Sequence, residues 1–200
     1  MILVPARELA LQIEQVFKSM GTDFKVSVCY GGHDKKIEIN NLIEAPAVLI
    51  GTPGRIAFHL RNNNFDPKTI STLVLDEFDK ALELGFHDDM EYIIGGLTGL
   101  SQRILTSATA MQEIPKFAGL KNEKTIDFLK SGGQKPDILL RKVMTTPEEK
   151  LDTLFHLICK IGNKRTLIFC NHREAVDRIS DLLYDKGIDR ETFHGGMEQD

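Results

Sequence analysis

No glycine in this 200-residue chain is followed by lysine, so the sequence contains no G-x-x-x-x-G-K-[ST] loop of the kind that cradles a nucleotide's phosphates. Cysteine is also sparse. Cys29, Cys159 and Cys170 form no C-x-x-C pair, and each sits in an apolar stretch, which suits reduced core thiols in a cytosolic protein and argues against disulfide or metal chemistry. Basic excess is missing too: the formal charge is −4, and the first 129 residues carry 13 basic against 17 acidic residues. No global positive field therefore advertises nucleic acid. The opening "MILVPARELALQ" has neither a basic leader region nor a long apolar run, giving no support to secretion or membrane insertion. The expected location is the cytoplasm. No internal repeat or low-complexity tract interrupts the chain.

What is present is an ordinary globular composition, 42% hydrophobic and 27% charged. Short β-rich apolar runs alternate with segments of helical period, the pattern of an open parallel sheet covered by helices. The expected strands are residues 25–30, 47–51, 72–76, 103–107, 124–128, 166–170 and 191–193. Between them, Leu9, Ile13, Val16, Phe17 and Met20 share one helical face, as do Ala175, Ile179, Leu182 and Leu183. Thr146 before Pro147, with Glu149 three residues on, marks one helix start, and Asn171 with Glu174 marks another. The segment 130–136, "KSGGQKP", breaks both periodicities through Gly132, Gly133 and Pro136 and is read as a linker between domains 1–129 and 137–200.

One apolar run ends in a cluster of acids: "LVLDEFD" places Asp76, Glu77 and Asp79 at a strand exit. In an open α/β sheet, ligands bind at the carboxyl ends of the strands. There a carboxylate can hold Mg²⁺ through its waters, and its neighbour can orient or deprotonate an attacking water. Taken alone, the same acids could equally offset a helix dipole.

Further stretches occur in a telling order: "VPARELALQI" (4–13), "GG" (31–32), "GTPGR" (51–55), "DEFD" (76–79), "LTSAT" (105–109), "LIFCN" (167–171) and "FHGGMEQ" (193–199). Together they resemble the motif series of the DEAD-box RNA helicases, and the resemblance runs essentially end to end. It implies an α/β fold of two RecA-like parallel-sheet lobes and ATP-dependent RNA unwinding or remodelling, with ATP and Mg²⁺ as cofactors. Asp76 would then coordinate Mg²⁺, Glu77 would activate water, and Asp79 would connect to Ser107 and Thr109, coupling the ATP site to RNA. Each hydroxyl taken alone could instead cap a helix.

The resemblance also maps RNA contacts onto Pro5, Arg7, Gly31, Gly32, Thr52, Pro53, Gly54 and Arg55. Their types fit phosphate binding: glycines admit close backbone approach, Thr52 can cap a helix beginning near Pro53, an exposed helix start favours anions, and Arg55 supplies a charged fork. Such contacts hold a backbone without reading bases. By themselves, Gly31-Gly32 would be an ordinary turn and Arg7 a solvated helix charge. Two positions depart from the family pattern: Ala6 stands where threonine is usual, and Phe78 where alanine is usual, so Phe78 must bury a ring beside the site. In the family, a phosphate loop precedes "PARELA" and further motifs follow "HGGMEQ". The first lobe is thus expected to lack its phosphate-loop strand and helix, leaving an unpaired edge, and the second to be truncated at its C-terminal side. This chain alone is expected to be inactive as an ATPase. The alternatives are a non-catalytic RNA- or partner-binding chain and a related DNA translocase.

Overall fold

A computed structural model describes residues 1–109, 113–121, 123–128 and 138–197. The chain divides into two compact units, residues 1–134 and 135–200. The expected linker 130–136 lies outside the described residues.

The first unit is built on a parallel five-stranded sheet in the order β2-β3-β1-β4-β5, with β1 Ile2–Leu3, β2 Val26–Cys29, β3 Val48–Gly51, β4 Thr72–Leu75 and β5 Gln102–Leu105. Four of these fall where the apolar runs predict them. The central strand β1 does not: two paired residues are too few to produce a period, yet Ile2 pairs with Ile50 on one side and Val74 on the other. The sheet is continuous, so no break runs through its middle, and β5 stands at one edge with Ile104 exposed. Residues 124–128 form no strand, and Ile126 and Phe128 are exposed; an apolar run without a neighbouring ladder has nothing to bond its backbone.

Helices cover the sheet as crossovers. Helix α1 (Arg7–Ser19) lies over β2, β3 and β1, where Val4, Ala10 and Ile50 are fully buried against Leu9 and Ile13. The face foreseen for this helix is only half used, since Val16 and Met20 point into solvent. The opposite side carries the larger core, in which Leu3, Leu49, Leu73 and Leu75 meet residues of α2 (Lys35–Ile43), α3 (Pro53–Arg61), α4 (Phe78–Glu83) and α5 (His87–Gly96). The alternating burial of Thr72–Leu75 shows why: Leu73 and Leu75 share one face of the pleat.

In the second unit the described residues form α6 (Lys150–Ile161) and α7 (Arg173–Asp185) and no strand. The expected strands at 166–170 and 191–193 are absent, and Leu167, Phe169 and Phe193 are exposed. Two short runs flanking a single helix make a sheet too narrow to stand alone. The Thr146 start is displaced: Glu149 holds the cap position of α6 with no side-chain capping bond, and the Thr146 hydroxyl accepts from the Glu149 N–H at 3.3 Å and faces Glu149 Oε2 at 3.2 Å within the turn that precedes the helix. Asn171 is displaced from its expected role, because His172 occupies the cap of α7 and makes no side-chain capping bond. Ala175, Ile179, Leu182 and Leu183 do form the shielded face of that helix. Of the three thiols, Cys29 is buried, Cys170 half-buried and Cys159 exposed, so Cys159 is not the core residue its apolar surroundings suggest.

Candidate nucleotide and RNA site

Because all five strands run parallel, every chemistry-bearing stretch of the first unit leaves the sheet at the same end. Strand order then sorts them. Gly31-Gly32 follows β2, Thr52–Arg55 follows β3 and Pro5 to Arg7 follows β1, while Asp76–Asp79 follows β4 and Thr106–Thr109 follows β5. The glycine-rich and cationic groups therefore occupy three adjacent strand exits, the carboxylates the fourth and the hydroxyls of Thr106, Ser107 and Thr109 the fifth.

On the acidic side, the ladder holds Asp76 directly, its N–H donating to Leu3 O at 2.9 Å. Thr106 completes the turn: its hydroxyl donates to Asp76 Oδ1, and the Glu77 N–H approaches both Asp76 Oδ1 (3.2 Å) and Thr106 Oγ1 (3.3 Å). Both bonds fall on one oxygen of Asp76. Glu77 adopts a left-handed backbone, φ 47° and ψ 49°, a conformation that costs a non-glycine residue roughly 1–3 kcal/mol. It precedes α4 yet makes no side-chain capping bond, so its carboxylate is not spent on the helix start. Asp79, in the first turn of α4, accepts from the Thr109 hydroxyl at 2.7 Å. That bond, with lesser help from the Lys80 N–H and the Ser107 hydroxyl, holds the Asp79 carboxyl below its ordinary range against the opposing effect of burial. Ser107 is engaged within its own turn, donating to Thr109 O (2.7 Å) and accepting from Thr109 N–H (3.2 Å). Asp79, Ser107 and Thr109 are thus brought together. Phe78 is buried, its ring meeting Phe117 edge-on at 6.2 Å. The ring that the sequence required to be buried is buried.

On the other side, Gly31 and Gly32 form an exposed turn, Gly32 at φ +87°, with no atom within 4 Å of where a Cβ would sit. Pro53 opens α3 at its first position, as Pro favours, and Thr52 holds the cap position with extended backbone. Its hydroxyl makes no capping bond, contrary to expectation; the Arg55 and Ile56 N–H groups bond to the Thr52 carbonyl instead. Gly51 is obligatory, because a Cβ there would drive into Cys29 O and the Ile56 side chain. Pro5 is buried, and Arg7 stacks its guanidinium over the Tyr30 ring at 5.2 Å. Ala6 caps α1 in extended conformation with no side-chain bond.

Arg55 is the least exposed of the expected contacts carrying charge, with a side chain 9% exposed. Its Nη1 donates to Glu38 Oε2 at 3.2 Å and its Nη2 to His33 O at 3.0 Å. Glu38, fully buried on α2, also meets His59 Nε2 at 2.8 Å, His33 Nδ1 at 3.2 Å and the Tyr30 N–H at 3.0 Å. Asn64 Nδ2 lies 2.9 Å from His59 Nδ1, and an amide donor there places the imidazole proton on Nε2, facing Glu38. Burial alone would raise the Glu38 pKa, but bonds from His59 and Tyr30 and the charge of Arg55 outweigh it and hold the group ionised. Ligand atoms of Cys29, Glu38 and His59 lie within 4.8 Å of one another. Glu38 and His59 already face hydrogen-bond donors, and burial beside Glu38 pushes the Cys29 thiol up to about 12, so the cluster is a hydrogen-bonded core and not a prepared cation site. Sequence reasoning missed Thr106, Glu38 and His59. Thr106 lay inside a quoted motif, whereas Glu38 and His59 carry no local pattern and are joined only by the fold.

Residues 1–117 match the family model for the DEAD/DEAH box helicase. The chain is 31% identical over 203 residues to the DEAD-box ATP-dependent RNA helicase RhpA of Helicobacter pylori (strain B128), covering 100% of this chain and 41% of that protein. It is similar in structure to a DEAD box protein from the hyperthermophile Methanococcus jannaschii, with a TM-score of 0.59 and 27% identity, over 98% of this chain and 54% of that one. A second similar structure is Mss116p bound to ssRNA and AMP-PNP, at TM-score 0.52 and 34% identity, covering 59% of this chain and 26% of that one. The chain thus spans about two fifths of the length of the curated relatives it matches. These likenesses identify the five-stranded unit as a RecA-like helicase lobe. The family match takes in the strand exits from Pro5 through Thr109, and the chain accordingly belongs to the DEAD/DEAH box helicase family.

Proposed function

We propose that this chain works as part of an ATP-dependent RNA helicase of DEAD-box type, its acidic strand exits serving Mg²⁺-ATP and its glycine-rich exits serving the RNA backbone. The observation that carries the reading is the Asp79–Thr109 hydrogen bond, which ties the acidic turn after β4 to the Ser-Ala-Thr turn after β5. RhpA is named as an ATP-dependent RNA helicase, and Mss116p is recorded with ssRNA and AMP-PNP, both in line with these partners.

Asp76 suits hydrated Mg²⁺: it is a hard oxygen donor at a half-exposed strand exit, and the two bonds its side chain accepts from Thr106 and Glu77 both fall on Oδ1. The bound ion would neutralise charge on the transferring phosphoryl group. Glu77, uncommitted to capping and held on a strained turn, accepts the proton of the attacking water. Asp79 senses the Thr109 turn. Gly31, Gly32 and Gly54 offer backbone donors to phosphates, while the Thr52 N–H is already bonded to Cys29 O, so RNA is held with little base preference and duplex strands are remodelled. Selection of RNA over DNA would rest on 2′-hydroxyls and A-form shape. The location that fits is the cytoplasm, in keeping with three unbridged cysteines. Among the described residues no helix is long and apolar enough to cross a membrane.

One observation favours a second reading for the chain by itself: with no Gly-Lys dipeptide, nothing in it anchors a triphosphate, and alone it acts as an RNA- or partner-binding unit. The test joins this chain to a segment supplying G-x-x-x-x-G-K-[ST] and measures phosphate release with and without RNA. RNA-stimulated turnover in the joined protein is the expected result. DNA stimulating as well as RNA would point to a translocase.

A further inference from the structure

We infer that Glu38 is a positioning residue that locks the Gly31-Gly32 turn and the start of α3 into one rigid RNA-facing surface. The inference rests on the RNA reading of those two segments given above.

A single carboxylate reaches both. Glu38 Oε1 takes the Tyr30 N–H and His33 Nδ1, which bracket Gly31-Gly32, while Oε2 takes Arg55 and His59, which stand on the first two turns of α3. Arg55 closes the loop from the other direction by donating to the His33 carbonyl. The two glycines have no side chains to pack and Gly32 sits at positive φ, so the turn has little of its own to hold it in place. Its position is borrowed from α2 and α3 through Glu38. Stability is a poor explanation for the arrangement. A buried carboxylate–guanidinium pair incurs a desolvation penalty that a well-packed apolar pair does not, and the best-attested return is fixed geometry. Backbone donors to phosphate need that geometry, because a displaced N–H costs affinity at once.

Charge gives the inference a sign that other roles do not share. Glu38→Gln removes a negative charge near a surface that receives a polyanion. If the residue acted only through electrostatics, RNA would bind more tightly; if it served only the fold, affinity per folded molecule would not change. A primary amide cannot accept at both ends, so in the variant either the Tyr30–His33 side or the Arg55–His59 side of the bracket must open.

The experiment measures binding of a short fluorescein-labelled single-stranded RNA to the intact chain by anisotropy, for the parent, Glu38→Gln and Arg55→Lys. Amide hydrogen exchange is followed over residues 30–34 and 52–56 in the same samples. The expected result for Glu38→Gln is RNA affinity weakened at least about tenfold, the loss of hydrogen bonds to a charged group, with faster exchange confined to those two segments. Arg55→Lys is expected to weaken RNA similarly, because lysine lacks the planar two-nitrogen fork with which Arg55 spans Glu38 and His33 O. It also carries the test if Glu38→Gln does not fold. Unchanged or tighter RNA binding by folded Glu38→Gln overturns the inference, as does near-parental binding by Arg55→Lys, which would make Arg55 a direct phosphate contact. If the parent binds no RNA, the RNA reading fails separately, and unaltered exchange in both segments would then sink the bracket as well.

Discussion

The Thr109 hydroxyl donates to Asp79 Oδ2 at 2.7 Å, joining two turns that lie thirty residues apart in the chain. This bond has a pH signature. Asp79 is held below its ordinary value of 3.8, so the folded state releases this proton at lower pH than the unfolded state does. Stability from the bond is therefore complete above the unfolded pKa and is lost as pH falls through the folded one. Thr109→Ala is expected to return the Asp79 titration toward 3.8, read by carboxyl-carbon NMR. An unmoved titration would show that Thr109 is not what holds it.

Glu77→Gln preserves shape and hydrogen bonding but cannot take up a proton. In a protein that supplies the phosphate loop together with this chain, nucleotide binding is expected to persist while RNA-stimulated turnover drops by about 10²–10⁴-fold. Near-parental turnover in a phosphate-release assay would remove Glu77 from the role of base.

Phe78 fills the core beneath the acidic turn and meets Phe117 edge-on. Phe78→Ala is expected to cost about 3–5 kcal/mol in urea unfolding, the range for deleting a buried aromatic ring. A loss under about 1 kcal/mol would mean that the core collapses freely around the site.

Gly51→Ala places a methyl group against the Cys29 carbonyl, a backbone atom that cannot swing aside. The expected cost is about 1–3 kcal/mol. Denaturant midpoints read it, and an unchanged midpoint would show that β2 and β3 can shift apart.

The 200-residue chain alone is expected to release no phosphate from Mg²⁺-ATP above background, with or without RNA, since Asp76 and Glu77 repel a triphosphate that nothing else holds. Calorimetry against ATP, with phosphate release measured in parallel, checks this. Micromolar binding with RNA-stimulated turnover would relocate the nucleotide.

The legible parts of the molecule were those with a local signature. Four strands announced themselves as apolar runs, and Asp76, Asp79, Ser107 and Thr109 stood at strand exits where an open sheet binds ligands. What was illegible depended on distance or on context. Strand β1 is too short for periodicity and exists because β3 and β4 pair with it. Glu38 carries no local sequence pattern, and only the fold reveals that Tyr30, His33, Arg55 and His59 surround it. The reverse error occurred at 166–170 and 191–193, where strand-like composition found no ladder to join. Composition makes a strand possible; a neighbour makes it real.

The brevity of β1 bears on how the first unit comes together in time. Residues 26–51 can close one crossover and residues 72–105 another, each from nearby chain, but Ile2 must find both Ile50 and Val74 before the sheet is whole. Its bonds run to each side, from Val4 N–H to Gly51 O and from Asp76 N–H to Leu3 O. Such distant pairings close late and slowly. Until they close, the glycine-bearing half and the carboxylate-bearing half share no ladder, so a strand of two paired residues is the seam on which the whole sheet depends.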